Sequence, residues 1–416
     1  MKILMCSFGS HGDVNPYLAL GRELLQRGHA VTIATSSGYR DLIERHGLCF
    51  APVRPENRME DVDLMKRVMD ARHGTETVVR QIVMPAIRDT YQDLLAPASK
   101  ADVLVSHVLT YAVPILAEKT GQPWASTVLS PMVFFSPHEP PVLAPLPGLA
   151  KLRCLGPGIN GWLFRQLKRI SRSWSQPVAD LRRELGLPSG LDPLWEGQHS
   201  PHLVLAMFSP LFGPPQPDWP ANVEVTGFPF LDHSDTPLNA ELEQFVAGKE
   251  RPIVFTLGSA AVKVAGEFYR IAARVAKKLN RRAVLVAGSA ADALKPELPA
   301  SMTAVEWASF PGLFARAAVV VHSGGVGTTA QALRAGVPQL VVPFAHDQFD
   351  NADRVRRMGT GRILFRSRIT EKSLSRELER VLADNGAMRS SNEIGRVISD
   401  ERGAAKAAEI LLNRWS

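Results

Sequence analysis

The chain has 416 residues, 48 of them Lys or Arg and 41 Asp or Glu, for a formal net charge of +7. At roughly 100–200 residues per domain this length predicts two domains with a core large enough to need no staples, and an apolar fraction of 45% excludes a mostly disordered chain. Cys6, Cys49 and Cys154 are too scattered for a C-x-x-C site and odd in number, which fits a reducing compartment, and the modest charge excess, with no zinc-finger, RNP or helix-turn-helix signature, argues against nucleic acid.

Met1-Lys2 runs straight into an apolar strand, so no signal peptide is expected. The best spanning candidate, Val103–Ala117, holds His107 and Pro114 and is too short to cross a membrane. A soluble cytoplasmic protein is the expectation.

In chain order, Lys2–Phe8 predicts a buried strand. Val14–Gln26 predicts a helix, with Val14, Tyr17, Leu18, Leu20, Leu24 and Leu25 on its apolar positions and Gly28 as its stop. Ala30–Thr35 is the next strand and Gly38–His46 the next helix; Val103–Ser106 and Ala125–Leu129 continue the series. Residues 136–158 are rich in Pro and Gly. Pro210, Pro214, Pro215, Pro217 and Pro220 then crowd a stretch that cannot continue a helix or central strand and marks the approach to a linker. The alternation restarts with strands at Ile253–Leu257, Ala283–Ala287, Thr303–Glu306, Val319–Val321 and Gln339–Pro343. Strand alternating with helix implies parallel βαβ units. The expected fold is α/β: two Rossmann-like domains, residues 1–215 and 222–399, facing each other across a cleft. A helix over residues 400–416 is expected to pack back on the first.

Two loops of opposite character follow strands. Gly9-Ser10-His11-Gly12-Asp13 does not match G-x-G-x-x-G, and Asp13 would repel a diphosphate. The positive end of the following helix would keep its carboxylate ionised, as a general base requires; the alternative is that Asp13 only caps the helix. The second loop, His322-Ser323-Gly324-Gly325-Val326-Gly327-Thr328-Thr329, carries no acid. Its glycines open the backbone N–H groups to a ligand, Thr328 adds a hydroxyl, and His322 can donate to an anion, the ingredients of a diphosphate cradle. The alternative there is tight strand–helix packing. Ser259, after another strand, is a second candidate phosphate contact. Trp307, beside Ala308, is placed either to stack on a nucleobase or in the core. Asp347 and Gln348 offer acceptors and donors to vicinal sugar hydroxyls, or cap the next helix.

The run from His322 to Thr329, then Ala335-Gly336-Val337-Pro338 and Asp347-Gln348, resembles the nucleotide-sugar signature of the GT-B, family 1 glycosyltransferases; Gly9–Pro16 and Arg27-Gly28-His29 resemble their N-terminal loop and helix. Pro214–Pro220, Thr226-Gly227-Phe228-Pro229 and Ala345–Ala352 are similar to the rhamnosyltransferases of rhamnolipid synthesis and to sterol and antibiotic glycosyltransferases. The resemblance implies an N-terminal acceptor domain, a C-terminal donor domain and an inverting transfer from a UDP- or dTDP-sugar, UDP-glucose among them. The acceptor would be a lipophilic hydroxy compound such as a hydroxy fatty acid, sterol or polyketide. It implies no metal and no cofactor, the nucleotide sugar being a co-substrate. Asp13 matches the catalytic base, with His11 the alternative. Ser259, His322, Gly324, Gly325, Gly327 and Thr328 match diphosphate contacts, Trp307 and Ala308 the base site, and Asp347 and Gln348 the sugar pair. Relatives with a His base pair it with an Asp from the first domain; Val105-Ser106-His107 offers no carboxylate there. An epimerase or hydrolase of nucleotide sugars, or a non-catalytic partner subunit, is the alternative on the same fold. Residues 151–183 hold eight basic residues interleaved with Trp162, Leu163, Phe164, Leu167, Ile170 and Trp174. This basic amphipathic helix either contacts an anionic membrane, peripheral to the inner membrane, or packs on its own domain.

Overall fold

The computed structural model describes residues 1–56, 60–231 and 238–415. Among them the chain forms two parallel sheets. The first holds β1 (Lys2–Cys6), β2 (Ala30–Thr35), β3 (Cys49–Pro52), β4 (Val103–Ser106), β5 (Trp124–Val128), β6 (Leu203–Ala206) and β7 (Val223–Val225) in the order β3-β2-β1-β4-β5-β6-β7. The second holds β8 (Ile253–Thr256), β9 (Ala283–Val286), β10 (Met302–Val305), β11 (Val319–His322), β12 (Gln339–Val341) and β13 (Gly361–Ile363) in the order β10-β9-β8-β11-β12-β13. Central strands are buried along their whole length, as β1, β4, β8 and β11 are after their first residue at most, because helices cover both faces of such sheets. Four strands went unanticipated. β3, β7 and β13 lie at or near sheet edges with mixed exposure, so no apolar run marks them; β6 is a four-residue apolar run that periodicity cannot assign.

Strand order locates the cleft. In each sheet the winding reverses once, between β1 and β4 and between β8 and β11, and ligand crevices open beyond the carboxyl ends at such points. In-register pairing (Cys6 with Ser106, Val321 with Phe255) sets the loop after β1 beside that after β4, and the loop after β8 beside that after β11.

Six helices matter for function: α1 (His11–Gln26), α2 (Val62–Val68), α3 (Gly156–Ser171), α4 (Val326–Arg334), α5 (Gln348–Arg357) and α6 (Gly403–Trp415). Ala404, Ala407, Ala408 and Leu411 of α6 share a core with Val14, Leu18 and Leu24 of α1, so the C-terminal helix packs on the first sheet's layer. The halves meet through a buried ionic cluster. Arg354, 1% exposed, donates from Nε to Asp350 at 2.7 Å and from Nη1 to Glu139 at 3.0 Å and to the Phe212 carbonyl at 2.9 Å. On α2 and just after it, Met65 and Met69 are buried among Val264, Phe268 and other residues of the second half.

Candidate active site

The first helix begins at His11, three residues before the periodicity predicts, because Ser10 is its N-cap. The Ser10 hydroxyl accepts from the Gly12 N–H at 3.2 Å, and Asp13 Oδ2 accepts from the Ser10 N–H at 2.7 Å and its hydroxyl at 3.1 Å. Asp13 is therefore the third helical residue of a capping box, not the cap itself. Only glycine fits at position 9: φ is +136° and a Cβ would lie 2.2 Å from Asp13 Oδ2. The second carboxylate oxygen remains. Oδ1 stands 3.5 Å from Nε2 of His107, at the end of β4. His107 is buried, and its Nδ1 accepts from the Leu109 N–H at 3.3 Å, which leaves the ring proton on Nε2, toward Asp13. Burial pushes the Asp13 carboxyl up, but His107 and then the Ser10 donors more than offset it and hold it below the usual carboxylate range. The partner at this place is thus an imidazole and not the carboxylate that a His base would need. His11 is exposed, its ring edge-on to Tyr39 with centroids 5.2 Å apart.

Asp13, His11 and His107 line a cavity of about 1600 Å³ between the halves, and so do Ser259, Trp307, Ala308, Gly325, Gly327, Thr328, Asp347 and Gln348. Gly325 is the N-cap of α4, so the first N–H groups of that helix face the cavity with no acid in the first turn. Trp307 is 57% exposed, held out into the cavity and not in the core.

Two residues expected at the diphosphate stand elsewhere. His322 is completely buried: its Nδ1 accepts from the Gly324 N–H at 3.1 Å and its Nε2 meets Gln339 Oε1 at 2.8 Å. Burial brings its pKa down to about 4, partly opposed by the Gln339 bond, so the ring is neutral and both nitrogens are occupied within the protein. Gly324 lies beneath the loop with φ +91°; a Cβ would fall 2.7 Å from Val341 Cγ1, and its carbonyl accepts from Asn351 Nδ2 at 2.8 Å. Both shape the loop from below and neither reaches the cavity.

The acid–amide pair is also partly committed. Gln348 Oε1 accepts from the Phe344 and Ala345 N–H groups at 2.8 and 3.2 Å, so only its amide N–H groups are left for a ligand. Asp347 Oδ2 accepts from Asn351 Nδ2 at 2.7 Å. Burial raises the Asp347 carboxyl to about 7; the Asn351 bond opposes this and the Asp13 charge adds to it. One residue was missed. Gln331, on α4 one turn beyond Thr328, lines the cavity, and its buried Oε1 has no hydrogen-bond donor among the described residues. At the first-half end the walls turn apolar: Leu109, Met132, Val133, Phe135, Trp174 and Trp195.

Residues 3–134 match the glycosyltransferase family 28 N-terminal domain, and residues 275–411 match the erythromycin biosynthesis protein CIII-like C-terminal domain. The chain is 32% identical over 433 residues to the O-mycaminosyltylonolide 6-deoxyallosyltransferase of Streptomyces fradiae, covering 100% of this chain and 98% of that one. It is 28% identical to the sterol 3-beta-glucosyltransferase of Leptosphaeria maculans, spanning 99% of this chain but 28% of that longer protein. Among solved structures, the calicheamicin glycosyltransferase CalG4 superposes with a TM-score of 0.75 at 20% identity, covering 99% of this chain and 98% of that one. The glycosyltransferase VinC, solved with dTDP, superposes with a TM-score of 0.68 at 20% identity, covering 100% and 99%. End-to-end similarity to the Streptomyces enzyme, with two parallel sheets opposed across a cleft, makes the chain a member of the GT-B glycosyltransferases that join a family 28 N-terminal domain to a CIII-like C-terminal domain.

Proposed function

We propose that this glycosyltransferase moves a hexosyl group from a UDP- or dTDP-sugar to a hydroxyl of a lipophilic acceptor, with inversion and without a metal ion. One observation carries the reading: a single cavity has a carboxylate on one wall, its Oδ1 3.5 Å from His107 Nε2, and an acid-free helix N-terminus on the other. Asp13 Oδ1 takes the proton of the acceptor hydroxyl as the hydroxyl oxygen attacks the anomeric carbon from the face opposite the diphosphate; the bond to the diphosphate breaks and the centre is inverted. The His107 N–H holds the carboxylate in place and steadies its charge before transfer. The leaving diphosphate gains negative charge, and the first N–H groups of α4, with the hydroxyls of Ser259 and Thr328, receive it. Trp307 stacks on the nucleobase beside Ala308. Asp347 and the Gln348 amide hold sugar hydroxyls, and Gln331 Oε1 accepts from a hydroxyl of the donor. The apolar end by Met132, Phe135 and Trp195 supports a lipophilic acceptor.

The test is acceptor-dependent release of nucleotide. Donors are first selected from UDP- and dTDP-sugars by thermal shift, since a ligand that binds only the native state raises the melting point. Each is then incubated with and without hydroxylated lipids and polyketides. A product of opposite anomeric configuration by NMR is the expected result; nucleotide release indifferent to every acceptor would instead identify a hydrolase or epimerase.

A further inference from the structure

Helix α3 presents two unlike faces. Its inner face belongs to the cleft wall: Asn160 Nδ2 donates to the Pro137 carbonyl at 3.1 Å, the Phe164 ring lies 6.2 Å from Phe135, and the Trp195 indole donates to the Ser171 hydroxyl at 3.1 Å. Phe135, Ser171 and Trp195 line the apolar end of the cavity. At 100° per residue, Ile159, Trp162, Arg165 and Arg169, with Leu155 just before the helix, fall on the opposite side. Leu155, Ile159 and Trp162 are 46%, 47% and 53% exposed, and Ile170 near the helix end is 70% exposed. Charge on this stretch has one sign: residues 140–179 contain no Asp or Glu. Arg153 and Lys168 are paired with Asp353 and Glu196, and Arg172 lies toward Asp192. Lys151, Arg165 and Arg169 have no carboxylate at ion-pair distance among the described residues.

We propose that the outer face of α3 docks on an anionic lipid bilayer. Leu155, Ile159 and Trp162 enter the headgroup–acyl boundary and Arg165 and Arg169 meet the lipid phosphates. The inner face is already packed, so the exposed Trp and aliphatic side chains are not held out by a shortage of core. Trp suits the boundary because its ring is apolar with one polar edge, and flanking cations are attracted by anionic headgroups. A second copy of the chain is a poor occupant, since it would set two acid-free cationic faces against each other. Docking in this pose sets the acceptor end of the cleft, one helix thickness away, at the membrane. The consequence for acceptor delivery rests on the proposed transfer, but docking itself is read without catalysis, so the two can fail separately.

The experiment uses the full chain and vesicles of phosphatidylcholine, alone or mixed with phosphatidylglycerol, read by co-sedimentation at low and higher salt. Binding is expected to the mixed vesicles only and to weaken with salt. Arg165→Gln with Arg169→Gln is expected to reduce the partition coefficient roughly 20–30-fold, about fivefold per cation. Trp162→Ser with Ile159→Ser is expected to reduce it at least as far. Both variants should keep the wild-type thermal-shift response to UDP or dTDP, which shows them folded. Equal binding to both kinds of vesicle, or unchanged binding by the folded variants, overturns the proposal. So does a wild-type dimer in sedimentation velocity that Trp162→Ser dissociates.

Discussion

Replacing Asp13 by Asn separates the two tasks of this side chain. As part of the capping box, Oδ2 accepts from Ser10 N–H at 2.7 Å, and an Asn carbonyl keeps that bond. What is lost there is the favourable charge at the helix N-terminus, about 0.3–1 kcal/mol, for a fall in melting temperature of no more than about 2–4 °C. As the base, Asn accepts no proton, and turnover should fall ~10²–10⁴-fold, or ~2.7–5.5 kcal/mol of transition-state stabilisation. Asp13→Ala, by contrast, also removes the two bonds Asp13 accepts from Ser10 and adds a stability loss of about 0.5–1.5 kcal/mol for each. The assay pairs acceptor-dependent nucleotide release at saturating donor with scanning calorimetry on the same preparations. The pH dependence follows from burial, which raises the carboxyl, being outweighed by His107 and the Ser10 donors, which lower it. The base is thus ionised across the neutral range, and the acid limb of kcat falls below the ordinary carboxylate value of about 4. The same depressed carboxyl contributes stability above that value and loses it as pH falls through the lower folded value, a loss the Asn variant lacks. Turnover of Asp13→Asn within tenfold of wild type, in protein of normal stability, would refute the assignment and turn attention to His11.

His107→Phe keeps a ring but removes the N–H facing Asp13, so the acid limb of kcat should move up in pH and kcat fall while donor KM holds; His107→Gln should recover part of both. An unmoved limb would leave His107 a packing residue. Asp347→Asn tests a carboxyl that burial, with Asp13, raises to about 7. Such a group favours folding fully below the ordinary carboxylate value and loses that contribution as pH rises through about 7, so the ligand-free variant should melt above wild type at pH 8 and level with it near pH 4. Equal melting at pH 8 would deny the buried charge. His322→Ala should destabilise the protein by ~2–4 kcal/mol through two lost internal hydrogen bonds and a cavity, while the folded variant binds free nucleotide within about twofold of wild type; calorimetric titration showing a selective loss of nucleotide would return His322 to the diphosphate. Trp307→Ala, at an exposed position, should leave the melting temperature near wild type and weaken nucleotide binding by ~1–3 kcal/mol; a variant that unfolds instead would make Trp307 a core residue.

Local pattern was enough for the central strands, since a short apolar run bounded by Gly and polar turns has few other ways to bury itself. Ala30–Thr35 and Val103–Ser106 coincide with β2 and β4, and Ile253–Leu257 and Ala283–Ala287 run one residue past β8 and β9. The contrast between an acid-bearing loop at Asp13 and an acid-free one at Gly325–Thr328 is also written in the residues themselves. Which strands become neighbours is not local, because it depends on how helices and sheet share a core. Only the order β2-β1-β4 sets His107 against Asp13, 94 positions away in the chain, and only that pairing brings Oδ1 of Asp13 to His107 while Oδ2 serves the capping box with Ser10. His322 was misplaced for the same reason. A histidine at a strand end before a Gly-rich loop reads as a ligand, yet in the sheet β12 carries Gln339 beneath it, and a buried amide that needs a donor takes the ring proton first. Gln331 was invisible in sequence because its signal is an absence, a buried acceptor with no donor among the described residues, and that exists only once the surrounding chain is in place.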